Sequence, residues 1–236
     1  MRWMFSLVAL ALMSCTVETV QPVQVAASAP VSRSSFTSAA DAERGFAQVV
    51  SRLEPTAESV CRQYQPQLNC DFKIVVDKRR NQPPNAYQSL DSSGRPVITF
   101  TNALIADTRN TDELAFVMGH EAAHHIQNHL ARQAQNAEAA ALVFAGLATL
   151  TGGSAADVAT AQELGEFVGA RSYSKEFELE ADELGTVIAL RAGYDPLIGA
   201  QFFTRIPDPG NRFLGTHPPN GARYNTVTAT VARVKG

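Results

Sequence analysis

The chain has 236 residues, 45% of them hydrophobic and 18% charged, with a formal net charge of −3. After an N-terminal leader, roughly 200 residues remain, which suits one domain with a sizeable core. The largest basic cluster is Lys78-Arg79-Arg80, which we interpret as a solvated loop, and the sequence therefore argues against nucleic-acid binding.

Residues 1–14 have the pattern of a secretory signal peptide. Arg2 precedes a short apolar run, which is typical of an exported protein rather than of a spanning helix. The following Leu12-Met13-Ser14-Cys15 is similar to a bacterial lipobox, in which Cys15 becomes the lipidated first residue. Met13 is uncommon in that box, so ordinary signal-peptidase cleavage is an open alternative.

The residue after the cysteine indicates a destination. It is Thr16 rather than Asp, which in lipoproteins of Gram-negative bacteria implies sorting to the outer membrane. The predicted location is therefore the periplasmic side of that membrane, with the lipid as the membrane contact. Residues 15–38 are rich in Val, Ser, Ala, Gln and Pro with almost no charge, which predicts a flexible tether. As a coil it would span roughly 25–30 Å.

A domain over residues 39–236 is predicted to begin with a helix from Ala39 to Tyr64. The β-branched, alternating segment 72–77 predicts a strand. Segments 86–90 and 97–101 flank Asp91-Ser92-Ser93-Gly94, a pattern typical of a β-hairpin. The expected fold class is α+β, mainly helical, with this small sheet and hairpin before the next helix.

The cysteines fit an oxidising compartment. Of three Cys, Cys15 would carry lipid, which leaves Cys61 and Cys70 to pair across a short loop. Two unrelated buried thiols are the alternative.

His120, Glu121 and His124 form an H-E-A-A-H motif in a largely apolar helix that we expect to run from Asn110 to about Leu130. Four residues make a little more than one helical turn, so both imidazoles share a face and can hold one Zn²⁺. Glu121 is rotated by ~100°, where its carboxylate can reach a metal-activated water without being a ligand. A polar surface helix that carries two histidines by chance is the alternative.

His125 and His129 form a second pair with the same spacing, but Ile126 stands where a base would be needed. We interpret both as residues that lie directly behind the metal ligands or on the surface.

A catalytic zinc usually has a third protein ligand. Glu178 and Asp182 are four residues apart, so Glu178 could bind the metal while Asp182 accepts a hydrogen bond from the far nitrogen of a ligand histidine. Glu180 competes with Glu178 for the ligand position, and a solvated acidic helix is the alternative for the whole segment.

H-E-x-x-H followed by E-x-x-A-D resembles the HtpX-like and CAAX-prenyl-protease family of zinc metallopeptidases (gluzincins). The resemblance runs from about Ala39 to the C-terminus and includes Pro84-Asn85-Ala86-Tyr87, Asp112-Glu113-Leu114-Ala115-Phe116, Ala192-Gly193-Tyr194-Asp195-Pro196 and Thr216-His217-Pro218-Pro219. It implies a zincin-like domain with one Zn²⁺ per chain.

The resemblance also implies roles for single residues. His120, His124 and Glu178 would be the zinc ligands, Glu121 the general base, and Asp182 a supporting residue behind the ligands. His217 matches a family histidine near the metal, which either steadies the oxyanion or blocks the site by binding zinc. Arg223 is a further candidate for steadying the oxyanion.

One departure from the membrane-embedded members concerns the segment after the motif. Its most apolar stretch, 139–150, has twelve residues, whereas a span needs ~20. We therefore expect a soluble catalytic domain, closer to the periplasmic lipoprotein proteases of the family. Residues 133–170 are dominated by Ala, Gly and Leu, which indicates close helix packing; a mobile cover hinged at Gly152-Gly153 is the alternative.

The expected activity is hydrolysis of peptide bonds in unfolded or misassembled envelope polypeptides, bound in extended form along Val97–Phe100 or its hairpin partner. A lipid-anchored assembly factor or chaperone with a latent, His217-repressed zinc site is the alternative.

Overall fold

A computed structural model describes residues 35–172, 174–210 and 217–236. The predicted signal peptide, Cys15 and most of the predicted tether lie outside the described residues. The last tether residues are described, and Phe36 packs against the hydrophobic core while its backbone N–H donates to the Arg109 carbonyl oxygen at 2.7 Å. The segment that precedes the first helix is therefore already in contact with the core of the domain.

Within the described residues the domain has eight α-helices, one 3₁₀ turn (Ala200–Thr204) and three strands. The strands are β1 (Lys73–Asp77), β2 (Ala86–Leu90) and β3 (Pro96–Thr101). The helices are α1 (Ala39–Tyr64), α2 (Asn102–Asp107), α3 (Thr111–Ile126), α4 (His129–Leu150), α5 (Ala155–Ser172), α6 (Ser174–Arg191), α7 (Pro196–Gly199) and α8 (Asn220–Lys235). The predicted class, mainly helical with a small sheet before the H-E-A-A-H helix, is confirmed.

Helix α1 has the bounds that its sequence predicts. The Ser38 side chain accepts a hydrogen bond from the Asp41 N–H and so satisfies one free donor at the helix start. Apolar residues spaced three or four apart then form one buried face, which includes Phe46, Val49 and Leu53. This face packs on α3 and on the sheet. The contact with the sheet includes Phe46, which meets Phe100 of β3 edge to face.

The sheet has the order β1-β3-β2, with β3 parallel to β1 and antiparallel to β2. The predicted hairpin is confirmed, and Gly94 takes the positive φ of 79° that its turn requires. Because β3 has a neighbour on each side, β2 lies at the edge. Its outer side pairs with no other strand of the described chain.

Helix α3 is buried over most of its length, as its apolar sequence predicts. It crosses α6 at two glycines: a Cβ on Gly119 would lie 2.8 Å from the Gly185 carbonyl oxygen. A Cβ on Gly185 would lie 2.8 Å from the His120 nitrogen. This close approach sets the distance between the two helices that carry the candidate metal ligands.

The prediction of one helix through Leu130 is wrong. Helix α3 ends at Ile126, and Asn128 adopts a left-handed conformation with φ 56°. A left-handed residue interrupts the run of helical hydrogen bonds, and Asn tolerates it better than most residues. A new helix, α4, then begins at His129 in another direction, so His125 and His129 do not share a helix.

Helices α4 and α5 form a hairpin whose two members pack mainly on each other. Gly165 and Gly169 of α5 are buried, and a Cβ on Gly165 would lie 2.5 Å from the Ala140 carbonyl oxygen. This arrangement favours the interpretation of residues 133–170 as closely packed helices. The outward face of α4 is apolar and more than half exposed at Leu142, Val143, Leu147 and Leu150.

None of the described helices combines the length and the hydropathy needed to cross a membrane.

Candidate metal centre

The structure brings His120, His124 and Glu178 together at the crossing of α3 and α6. One ligand atom of each lies within 4.8 Å of the others. The two Nε2 atoms are 3.0 Å apart, and Glu178 oxygens lie 3.3 Å from His124 Nε2 and 3.6 Å from His120 Nε2. All three side chains are at least four-fifths buried.

These distances fit a tetrahedral metal ion. Ligand atoms ~2.0–2.1 Å from such an ion lie ~3.3 Å from one another. The observed separations, two of which are measured to different oxygens of Glu178, range from 3.0 to 3.6 Å around that value. Two imidazole nitrogens and one carboxylate are also the donor set of catalytic zinc sites of the His₂Glu type, which leave one position for water. The three residues therefore fit a zinc ion.

Glu180, the competing ligand candidate, pairs with residues other than the three of this cluster. Its carboxylate receives two hydrogen bonds from Arg132, and one of its oxygens lies 3.1 Å from His129 Nε2. Between the two candidates, the structure places Glu178 and not Glu180 beside the histidines.

Asp182 lies directly behind His120. Its carboxylate is fully buried, and Oδ1 is 2.9 Å from His120 Nδ1. Arg223 of α8 donates two hydrogen bonds of 2.7 Å to the same carboxylate. The Asp182 carboxylate can therefore accept a hydrogen bond from Nδ1–H of His120, which leaves Nε2 free for a metal.

The charges around the cluster are strongly coupled. Burial acts to raise the pKa of Glu178, but hydrogen bonds with His124 and His217 hold it well below its ordinary value. Burial acts to lower the pKa of His124, but Glu178 and the charge of Glu121 raise it overall. The cluster thus keeps Glu178 ionised, which is the form in which a carboxylate binds a cation.

Glu121 and His217 lie next to the cluster without joining it. Glu121 is buried and lines the cleft that opens over the three candidate ligands. The His217 side chain is 56% exposed, and its Nδ1 lies 3.1 Å from a Glu178 oxygen. Arg223, the other oxyanion candidate, has its guanidinium occupied by Asp182, with Nη1 3.5 Å from Glu178.

His129 lies in this site directly behind a candidate ligand, which is one of the two positions that the sequence left open for it. Its Nδ1 lies 2.8 Å from His124 Nδ1, and burial lowers the pKa of His129 to about 4. His125 has no such contact, because its Nε2 donates to the Asn69 carbonyl oxygen at 2.8 Å and its ring packs on Phe72. The break at Asn128 separates the surroundings of these two histidines.

Away from the cluster, Cys61 at the end of α1 and Cys70 form a disulfide. It ties the end of α1 to the segment that leads into β1, and both residues belong to the main core.

The cleft over the three candidate ligands has a volume of about 740 Å³. Its lining includes residues 84–88, which lead into β2 and form its first part, and Phe202, Phe203 and Ile206. His120, Glu121 and His124 line the same cleft.

Comparison with known proteins is consistent with this site. A beta-barrel assembly-enhancing protease of Escherichia coli O157:H7 is 32% identical over 143 residues, which are 51% of this chain and 28% of that protein. One from Yersinia pestis is 30% identical over 151 residues, 58% of this chain and 31% of that protein. A relative from Vibrio cholerae is 35% identical over 131 residues, which are 52% of this chain and 26% of that protein. Its name gives the same role provisionally.

The chain spans only about a quarter to a third of the length of these relatives. A family model covers much more of it: the model described as peptidase family M48, a family of metallopeptidases, matches residues 43–231. That range includes all of the residues brought together at the cleft, and the chain therefore belongs to peptidase family M48.

Proposed function

We propose that this protein is a zinc-dependent endopeptidase of the bacterial cell envelope that cleaves unfolded or misassembled polypeptides. The observation that carries the proposal is the His120, His124 and Glu178 cluster, with ligand separations that fit one zinc ion, beneath a cleft that also contains Glu121. The names of the relatives in E. coli and Yersinia support a role in β-barrel assembly.

In this mechanism His120, His124 and Glu178 hold the ion, and Glu121 acts on the water. When bound, zinc supplies Lewis-acid polarisation of the scissile carbonyl and lowers the pKa of water. Glu121 accepts the proton of the attacking water and passes it to the leaving amine. The Asp182 carboxylate would accept a hydrogen bond from Nδ1–H of His120, so that this ring keeps one orientation through the reaction.

Substrate selection follows from the position of β2. Its free edge offers backbone N–H and C=O groups that can pair with a polypeptide in extended form. A folded protein cannot present such a strand without local unfolding, so the geometry favours unfolded or misassembled chains.

Placement in the envelope is supported by two features. The disulfide between Cys61 and Cys70 fits an oxidising compartment such as the periplasm. The lipobox-like sequence that ends at Cys15 would hold the domain close to the outer membrane.

Removal of the metal tests the proposal. Dialysis against a chelator is expected to abolish cleavage of a permanently unfolded protein, and one equivalent of zinc per chain is expected to restore it. The same protein in its folded, disulfide-bonded form serves as the control and is expected to resist cleavage. If a sample that is free of metal by elemental analysis still cleaved the substrate at the full rate, the mechanism would be excluded.

A second candidate function is a lipid-anchored assembly factor or chaperone whose zinc site is normally repressed by His217. The observation in its favour is the contact between His217 Nδ1 and the Glu178 carboxylate at 3.1 Å, at the mouth of the cleft. An imidazole at this position could rotate over the cluster or help to hold a substrate.

His217→Ala separates these roles, because the side chain is largely exposed and its loss should not affect folding. If the histidine represses the site, we expect proteolysis of an unfolded substrate to rise several-fold at unchanged zinc content. If it steadies the oxyanion, we expect kcat to fall by ~10²-fold with little change in KM. An unchanged rate would exclude both roles.

A further inference from the structure

We propose that His129 is a positioning residue for the metal ligand His124, acting through a hydrogen-bond chain that runs from His124 through His129 and Glu180 to Arg132. The inference rests on the proposed function, because it requires that His124 bind a metal through Nε2. It assigns a role to a histidine and a glutamate that the hydrolytic mechanism does not use.

The geometry allows one arrangement of protons. If His124 Nε2 binds the metal, its proton must be on Nδ1, which lies 2.8 Å from His129 Nδ1. His129 Nδ1 is then the acceptor, and the proton of this second ring must be on Nε2. Nε2 lies 3.1 Å from Glu180, an acceptor, so each donor in the chain faces an acceptor.

Further contacts hold the members of this hydrogen-bond chain in place. Arg132 lies one helical turn after His129 and donates two hydrogen bonds to the Glu180 carboxylate. The His129 ring stacks on Phe177 at 4.6 Å with an interplanar angle of 10°, and only 4% of the residue is exposed. The left-handed conformation of Asn128 directs this ring back towards His124, as a continuous helix would not.

His120 has a comparable support on the other side of the cluster. Its Nδ1 faces the Asp182 carboxylate, which is held by two hydrogen bonds from Arg223. Each ligand histidine is therefore backed by a carboxylate–arginine pair, directly for His120 and through one imidazole for His124. Such partners fix the orientation of a ligand ring and raise its basicity, and their loss typically weakens metal binding 10–100-fold.

A purely structural role is the competing explanation, since His129 also packs on Phe177. Two substitutions separate the explanations. His129→Phe keeps an aromatic ring on Phe177 and removes both hydrogen bonds. His129→Asn loses the ring but retains a carbonyl oxygen close to the position of Nδ1, where it can accept the His124 proton.

The experiment measures the zinc dissociation constant of the full chain by competition with a chromophoric chelator. We expect His129→Phe to bind zinc about 10–100-fold more weakly than the unmodified chain and His129→Asn to stay within about threefold of it. His125→Phe is the matched control, because it removes a neighbouring buried histidine that hydrogen-bonds to the Asn69 carbonyl oxygen, and its zinc affinity should not change.

Unchanged zinc affinity in His129→Phe would overturn the inference, as would a greater loss in His129→Asn than in His129→Phe. If His129→Phe shows no cooperative unfolding transition, Glu180→Ala carries the test, with an expected loss of several-fold and an unchanged affinity as the contrary result. If the unmodified chain itself binds no zinc, the proposed function fails, and this outcome is distinct from either result above.

Discussion

Replacement of Glu121 by glutamine is expected to slow peptide hydrolysis by about 10²–10⁴-fold while the zinc stays bound. Glutamine has nearly the same shape as glutamate but cannot accept the proton of the attacking water. Glu121 lines the cleft and is absent from the three-residue cluster, so its replacement should leave the ligands in place. The measurement is kcat/KM on an unfolded protein, together with the zinc content of each sample.

Glu138→Gln is a suitable control, since it makes the same chemical change on an exposed part of α4. It should match the unmodified chain in rate and in zinc content. A Glu121→Gln sample that holds one zinc per chain and cleaves at the normal rate would rule out Glu121 as the general base.

The second large effect concerns stability. Asp182→Ala is expected to lower the free energy of unfolding of the metal-free chain by about 3–5 kcal/mol. The change leaves the Arg223 guanidinium buried without the carboxylate that receives its two hydrogen bonds, and it also removes the acceptor next to His120. Urea unfolding followed by circular dichroism gives the free energy directly.

Glu183→Ala is the matched control, because the neighbouring carboxylate pairs with Arg233 at an exposed surface where such pairs contribute about 0–1 kcal/mol. The double change Asp182→Ala with Arg223→Met should recover part of the lost stability, since the guanidinium is no longer buried without its partner while Glu178 keeps its contacts with His124 and His217. Equal effects of Asp182→Ala and Glu183→Ala would contradict the assignment of Asp182 and Arg223 as a buried pair.

The parts of this fold that the sequence predicts depend on local patterns. Helix α1 follows from apolar residues at helical spacing and a serine cap, and the β2–β3 hairpin follows from two short strands around Asp91–Gly94. The association of His120 with His124 is likewise local, because four residues of helix place both rings on one face. Each of these patterns is complete within a single helix or a single hairpin.

The features that the sequence did not predict depend on distant contacts or on one residue. The parallel pairing of β1 with β3, which leaves β2 at the edge, joins segments separated by the hairpin and has no local pattern. The break at Asn128 comes from one left-handed residue inside an otherwise helical pattern. Without that break the position of His129 cannot be predicted, nor can its link to Glu180, 51 residues away.

The α4–α5 hairpin is a place where the length of the chain can change. The Gln133 amide donates to the Ala170 carbonyl oxygen at 3.1 Å. This hydrogen bond joins α4 and α5 near the base of the hairpin, where both helices meet the rest of the domain. The spacing of the metal-binding helices is set elsewhere, by Gly119 against Gly185. Beyond its tied base, the hairpin can therefore lengthen, shorten or accept a grafted segment at Gly152-Gly153 without moving His120 relative to Glu178.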